Sequence, residues 1–294
     1  MKRLTLLTLL CISSCFGARL VADSNRVSSP VIIDSATLSD TALINETFSN
    51  LIPQGTQAGS AYALASFGRL GVSTTAGFSL TQVLGGGSSG TSANTISRAV
   101  VYLEDYLQLQ TTSPDQRLYI DLQLDGLLSA NPAALNTVNN SSVADVQFNI
   151  VLNASRLNYL ETPDGVTIFG TNYARVGDRV FRIWTDTASN NVNLSASLRA
   201  LAHCSGAIQN YADRPAAIAC NAVSDFDSTL RFLGAGISDA NGNAIGSPVN
   251  FVSASGFDYV AGVPPAPTGE VPEPATAALI GGSLAALAVL RRRR

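Results

Sequence analysis

The chain has 294 residues, 46% hydrophobic and 13% charged, with 18 lysines and arginines against 21 acidic residues and a formal net charge of −3. Seven of the basic residues (Lys2, Arg3, Arg19 and Arg291 to Arg294) stand near the two ends. The acids all lie between Asp23 and Glu273, so the intervening stretch has 11 arginines, no lysine and a balance of 11 − 21 = −10. Such a surface repels phosphate backbones, which need clustered positive charge; nucleic acid and anionic lipid are excluded as partners, while neutral glycans and divalent cations are not.

Lys2 and Arg3 precede an apolar run, Leu4 to Ile12, followed by small and polar residues. This is the layout of a secretory signal peptide, and the run is too short to span a bilayer. Cleavage fits after Gly17 or after Ala22, and the leader is drawn as residues 1–22. Ile12-Ser13-Ser14-Cys15 also resembles a lipoprotein cleavage box, which would place a lipid on Cys15. The body from residue 23 to residue 262 has the length that all-β domains commonly use as one unit.

Within the body, Gly85-Gly-Gly-Ser-Ser-Gly90 reads as a flexible loop. Arg98 to Gln110 fits either an amphipathic helix or a strand, and the strand, with a bulge near Glu104, is preferred. Leu118, Ile120, Leu122 and Leu124 alternate with polar residues, as do Val146, Phe148, Ile150 and Leu152, and then Val192 through Ala202. Period-two alternation with one polar face is the mark of antiparallel sheet wet on one side. Turn signals fall at Pro163-Asp164-Gly165, Gly177-Asp178 and Asn241-Gly242. Arg179 to Thr185 reads as one more strand, with Trp184 on its arginine-bearing side. Ala207 to Ala222 is alanine-rich and reads as a short helix. The fold class is therefore all-β, an antiparallel β-sandwich or jelly-roll. Residues 263–270 form a Pro-rich linker.

Candidate chemistry is sparse. With the leader removed, Cys204 and Cys220 are the two cysteines left, and in an oxidising compartment they predict a disulfide contributing about 3 kcal/mol by loop closure. No metal or cofactor is expected, because His203 is the only histidine and it adjoins Cys204, pointing to the opposite face of a strand. Catalysis by a Ser-His-Asp arrangement would depend on His203, and no nucleophile elbow accompanies it. Asp225 and Asp227 share a face if extended, the minimum a glycan hydrolase would need. Asp239-Ala-Asn-Gly-Asn243 starts like a calcium loop but lacks its glycine and glutamate, and an Asn-Gly turn explains it as well. Arg179 and Arg182 near Trp184 suggest a sugar-stacking surface, or ordinary sheet packing.

The tail has three parts: Pro272-Glu273-Pro274, an uncharged run from Ala275 to Leu290, and Arg291, Arg292, Arg293 and Arg294. As a helix the run would reach roughly 24 Å, short of a hydrocarbon core of about 30 Å, a deficit that snorkelling arginine stems reduce. The arginines form a stop-transfer block held on the cytoplasmic side. In this order the parts resemble the PEP-CTERM sorting signal of exported bacterial proteins, here residues 271–294. The resemblance implies a membrane-embedded exosortase as partner, cutting at Pro272-Glu273-Pro274 of a precursor held in the membrane by a single helix. The product would lie at the cell surface or outside the cell. Ala65 to Val72, Asp227 to Asn243 and Ser255-Gly256-Phe257-Asp258-Tyr259 also resemble a pattern found in the bodies of such proteins, a domain without an assigned activity. The reading is a non-enzymatic envelope or extracellular-matrix protein, with exopolysaccharide as a further partner. A carbohydrate-binding module is the alternative, and a glycan hydrolase the second alternative.

Overall fold

In a computed structural model, the described residues are 18–25, 30–37, 39–52, 55–82, 91–110, 116–135, 139–187, 190–208, 216–246 and 250–262. They form sixteen strands and no helix. In chain order these are β1 (Ala18–Ser24), β2 (Val31–Ala36), β3 (Thr41–Ile52), β4 (Gly55–Ser66), β5 (Arg69–Gln82), β6 (Thr91–Leu109), β7 (Arg117–Leu124) and β8 (Leu127–Leu135). There follow β9 (Asn139–Leu152), β10 (Ser155–Thr162), β11 (Gly165–Thr171), β12 (Tyr173–Gly177), β13 (Val180–Asp186), β14 (Asn191–Ile208), β15 (Ala216–Ser238) and β16 (Phe251–Ser253).

The strands make two antiparallel sheets. The first has the order β11-β10-β9-β14-β6-β1-β2, with β16 also on β6; the second has β12-β13-β7-β15-β5-β4-β3, with β8 also on β15. Sixteen strands in two sheets of eight are twice what a jelly-roll contains in total, so the architecture is a large sandwich. Strands β7 and β8 lie end to end along β15, interrupted at Asp125-Gly126 opposite a register shift between Phe226 and Leu230.

Alternation explains the packing. All eighteen residues of β14 alternate, from Asn191 outward and Val192 inward to Ala207 outward and Ile208 inward. The inward residues of both sheets, Leu103, Phe148, Leu198 and Leu20 on one side and Leu70, Ile120, Phe226 and Phe232 on the other, fuse into one core. A second, smaller core lies farther along the long strands and is built mainly from Ala76, Ala93, Ala202, Ala222, Cys204 and Cys220, with Phe78, Leu80, Ile208 and Ile218.

Several expectations change. The described strands begin at Ala18, inside the leader drawn as residues 1–22: Ala18, Leu20 and Ala22 are fully buried, and Arg19 pairs with Asp34 on β2 at 2.9 Å. Arg19 therefore belongs to the body, which moves the balance of that stretch to 12 − 21 = −9. Arg98 to Leu109 is strand, but its register with β1 and β14 runs without a break through Glu104, so no bulge forms there. The described residues of the stretch read as a short helix, Ala207 to Ala222, are strand instead: Ala207 and Ile208 end β14, and Ala216 to Ala222 begin β15, while 209–215 lie outside the described residues. There the alanines serve close approach of two sheets, not helix propensity. The leader through Gly17, the loop 85–90, the Pro-rich linker and the whole tail lie outside the described residues.

Candidate functional site

The last described segment brings together the three stretches that resemble a PEP-CTERM body. Ala65 to Val72 forms the β4–β5 turn, and β15 lies beside it, with the Phe232 N–H donating to the Gly68 carbonyl at 3.0 Å. The segment from β16 to Gly262 packs across Phe232. Tyr259 is fully buried, with ring centroids 5.4 Å from Phe232 and 4.7 Å from Phe257, both edge-on.

The polar anchor of this strap is Asp105, on β6. Its carboxylate accepts the Tyr259 hydroxyl at 2.9 Å, the Ser255 hydroxyl at 2.5 Å, the Ser255 N–H at 3.1 Å and the Tyr106 N–H at 2.8 Å. Burial raises its pKa above the ordinary carboxylate value, and these donors offset part of that rise. The Tyr259 phenol is pushed well up, by burial first and then by Asp105. Asp258 accepts the N–H groups of Val260 and Ala261, and the Gly262 N–H returns to the Asp258 carbonyl at 3.0 Å. Gly262 has φ +63°, and a side chain there would strike the Leu233 carbonyl. The chain thus leaves the sandwich through a conformation suited to glycine.

The other candidate sites are engaged within the fold. Trp184 is only 8% exposed because the Asp239–Asn243 turn covers it: Gly242 has φ +83°, and a Cβ on it would lie 2.5 Å from the indole. Arg182 forms a two-pronged pair with Asp121, both contacts 2.7 Å, and stacks 3.9 Å from the centre of the Tyr119 ring. Arg179 binds Glu161 and the Gly126 carbonyl. The sugar-stacking surface suggested by Arg179, Arg182 and Trp184 is therefore sheet packing roofed by a turn. In that turn both Asp239 oxygens are occupied by Asn241 and Asn243 donors, which hold its pKa low. Among the described residues no group of three or more metal-ligating side chains converges.

Asp225 and Asp227 do share the outer face of β15, both half-buried, and burial followed by the neighbouring Asp227 raises the Asp225 pKa. A cavity of about 530 Å³ lies elsewhere, lined by Ser92, Asn94, Asn140, Ser141, Ser205 and small neighbours, with no carboxylate. His203 meets Asn94 at 2.9 Å between its Nε2 and the amide oxygen. Cys204 and Cys220 form the expected disulfide, joining β14 to β15 and so one sheet to the other, with Cα atoms 5.7 Å apart. Sequence reasoning missed Asp105 as a site residue. Its signal was parity: it alternates in phase with Leu103 and Leu107, both buried.

Beyond Gly262, residues 270–294 match the family model described as the PEP-CTERM protein-sorting motif. The chain carries a PEP-CTERM sorting motif. The match includes Pro272, Glu273, Pro274 and Arg291 to Arg294, and it marks an exported precursor handled by an exosortase. The sandwich itself is not covered by it. No curated protein and no solved structure matches the chain. Among the described residues no helix is long and apolar enough to cross a membrane, and the span expected from Ala275 to Leu290 lies outside them.

Proposed function

We propose that this protein is a non-enzymatic envelope or extracellular-matrix component whose sandwich is delivered to the surface by exosortase processing at Pro272-Glu273-Pro274. The observation that carries the reading is the sorting-motif match, which contains the motif, the apolar run and the arginine block in one segment. The body supports it in two ways. Its prominent polar side chains are committed to one another, with Arg182 on Asp121, Arg231 on Asp125, Arg199 on Asp145 and Arg179 on Glu161. Its C-terminal strap closes on Asp105 before the linker begins, so a cut downstream leaves the sandwich complete.

In this scheme the arginines stop translocation, the apolar run parks the chain, and exopolysaccharide is the partner of the delivered body. The leader is removed after Gly17, because a cut after Ala22 would delete Ala18, Leu20 and Ala22, three of the four buried residues of β1. Proline on both sides of Glu273 keeps the motif extended and out of the following helix. Replacing Pro272, Glu273 and Pro274 with alanine leaves the run apolar and helix-forming. In a host that carries an exosortase, this variant is expected to accumulate full-length in the membrane, while the wild type loses a C-terminal epitope. Retention of the epitope by both would overturn the proposal.

A further inference from the structure

The paths of the two sheets end in four edge strands, which are not alike; β16, three residues long, and β8, which contains Pro132, also pair on one side only. Three of the four are short: β2 has six residues, β11 seven and β12 five. The β12 edge is also bulged between Arg175 and Gly177 and carries the Arg175–Asp178 ion pair. The fourth, β3, has twelve residues, paired with β4 in unbroken register from Thr41↔Ser66 to Ile52↔Gly55 and with no other described strand. A long straight edge offers unpaired N–H and C=O groups to another strand, and proteins that avoid this use lysine, proline, bulges or short edges. β3 has none of these, and its one charge is Glu46.

The side chains of β3 suggest the partner. Leu43, Asn45, Thr47, Ser49 and Leu51 lie on one exposed face, and the two leucines are 49% and 89% exposed. We propose that β3 pairs with β3 of a second copy of this chain, antiparallel, about a two-fold axis through Thr47. In that register Leu43 faces the second copy's Leu51, Asn45 faces its Ser49, Thr47 faces its Thr47, and Glu46 faces its Phe48. Apolar and hydroxyl pairs of this kind stabilise antiparallel ladders, whereas like charges directly opposite destabilise them. Sliding the axis to Glu46 would set the two glutamates against each other, and sliding it to Phe48 would leave Leu43 without a partner. A shift by a single residue would turn the exposed face of one copy against the inner face of the other. The contact is isologous, so it closes at two copies. It is independent of how the tail is processed.

The experiment uses the protein as the host exports it. Sedimentation velocity is expected to show a dimer at micromolar concentration, and Leu43→Lys with Leu51→Lys is expected to raise the dissociation constant at least about tenfold. Both positions are exposed, so circular dichroism of the variant is expected to be unchanged. Thr47→Cys is expected to cross-link to itself under oxidation, since opposed residues lie about 5 Å apart between Cα atoms, within disulfide reach. Asn45→Cys is not, because its own mate lies roughly 14 Å away, but it is expected to cross-link when mixed with Ser49→Cys. A chain still monomeric at about 100 μM, a dimer indifferent to the lysines, equal cross-linking at positions 45 and 47, or stoichiometric occupation of β3 by a different protein would each overturn the proposal.

Discussion

Two regions of the one sandwich hold their sheets together by different means. In the larger core the spacing is set by big side chains: Phe148, Tyr159 and Phe181 meet at centroid distances of 4.9 to 5.4 Å, and the Phe232–Tyr259 pair continues the layer. In the smaller core alanines replace them, and the Cys204 and Cys220 Cα atoms stand 5.7 Å apart, where packed sheets ordinarily lie about 10 Å apart. The approach is close enough for side chains of one sheet to reach the backbone of the other. Ser142 donates to the Asn221 carbonyl at 3.1 Å, Ser224 to the Asp145 carbonyl at 2.8 Å, and Asn140 to the Ala219 carbonyl at 3.2 Å. An alanine buries little apolar area compared with the roughly 1.5–3 kcal/mol of a buried phenylalanine. What the hydrophobic effect does not supply there, a covalent bond and cross-sheet hydrogen bonds do.

The largest expected effect is in the aromatic layer. Phe148→Ala, which removes a fully buried ring with two aromatic neighbours, is expected to cost about 3–5 kcal/mol in urea unfolding. The paired change Cys204→Ala with Cys220→Ala is expected to cost about 2–4 kcal/mol. Its signature is regional: amide exchange should quicken first at residues 202–208 and 216–222, leaving Phe148 and its neighbours protected. Uniform loosening would show that the two regions are a single cooperative unit. Ala222→Leu is expected to cost about 1–3 kcal/mol by overpacking the narrow core, whereas Leu127→Thr, at a position 61% exposed, should fall within about 0.5 kcal/mol of the wild type.

The smallest effect is a slope. The pKa of Asp105 is raised in the folded state, above an unfolded value of about 3.9. Its contribution to stability is therefore complete below about pH 4 and is lost as pH rises through the folded value. Asp105→Asn keeps an acceptor for Tyr259 and removes the proton exchange. Urea midpoints between pH 4 and 7 should decline in the wild type relative to the variant; parallel curves would mean that Asp105 has no raised pKa.

Much of the sandwich was readable because its strands are half wet. The alternations at 118–124, 146–152 and 192–202 each proved to be a strand with the named apolar side inward. The disulfide was readable from compartment and count. What escaped depends on contacts remote in sequence. β8 was not read as a strand, and it contains Pro132, which is tolerated because β8 pairs on one side only, with β15. Trp184 looks like a surface aromatic until Gly242, 58 residues later, covers it. Asp105 was legible as a departure from pattern, and the expectation of a bulge beside it misplaced the remedy. The fold keeps its register and satisfies the carboxylate with Ser255 and Tyr259, some 150 residues on.

The strand order has a consequence for timing. β14 is the fourth of seven along the first sheet and β15 the fourth of seven along the second, yet both come near the end of the chain. Until β14 arrives, β6 and β9 have no strand to join them; until β15 arrives, β5 and β7 are likewise apart. A polypeptide delivered N-terminus first can zip hairpins such as β3–β4–β5 and β9–β10–β11 on the way, but both sheets stay divided into halves. Closure waits for the arrival of two keystones, and the Cys204–Cys220 bond that ties them to each other can form only then. A chain built in this order stays threadable until nearly all of it has passed, and then locks.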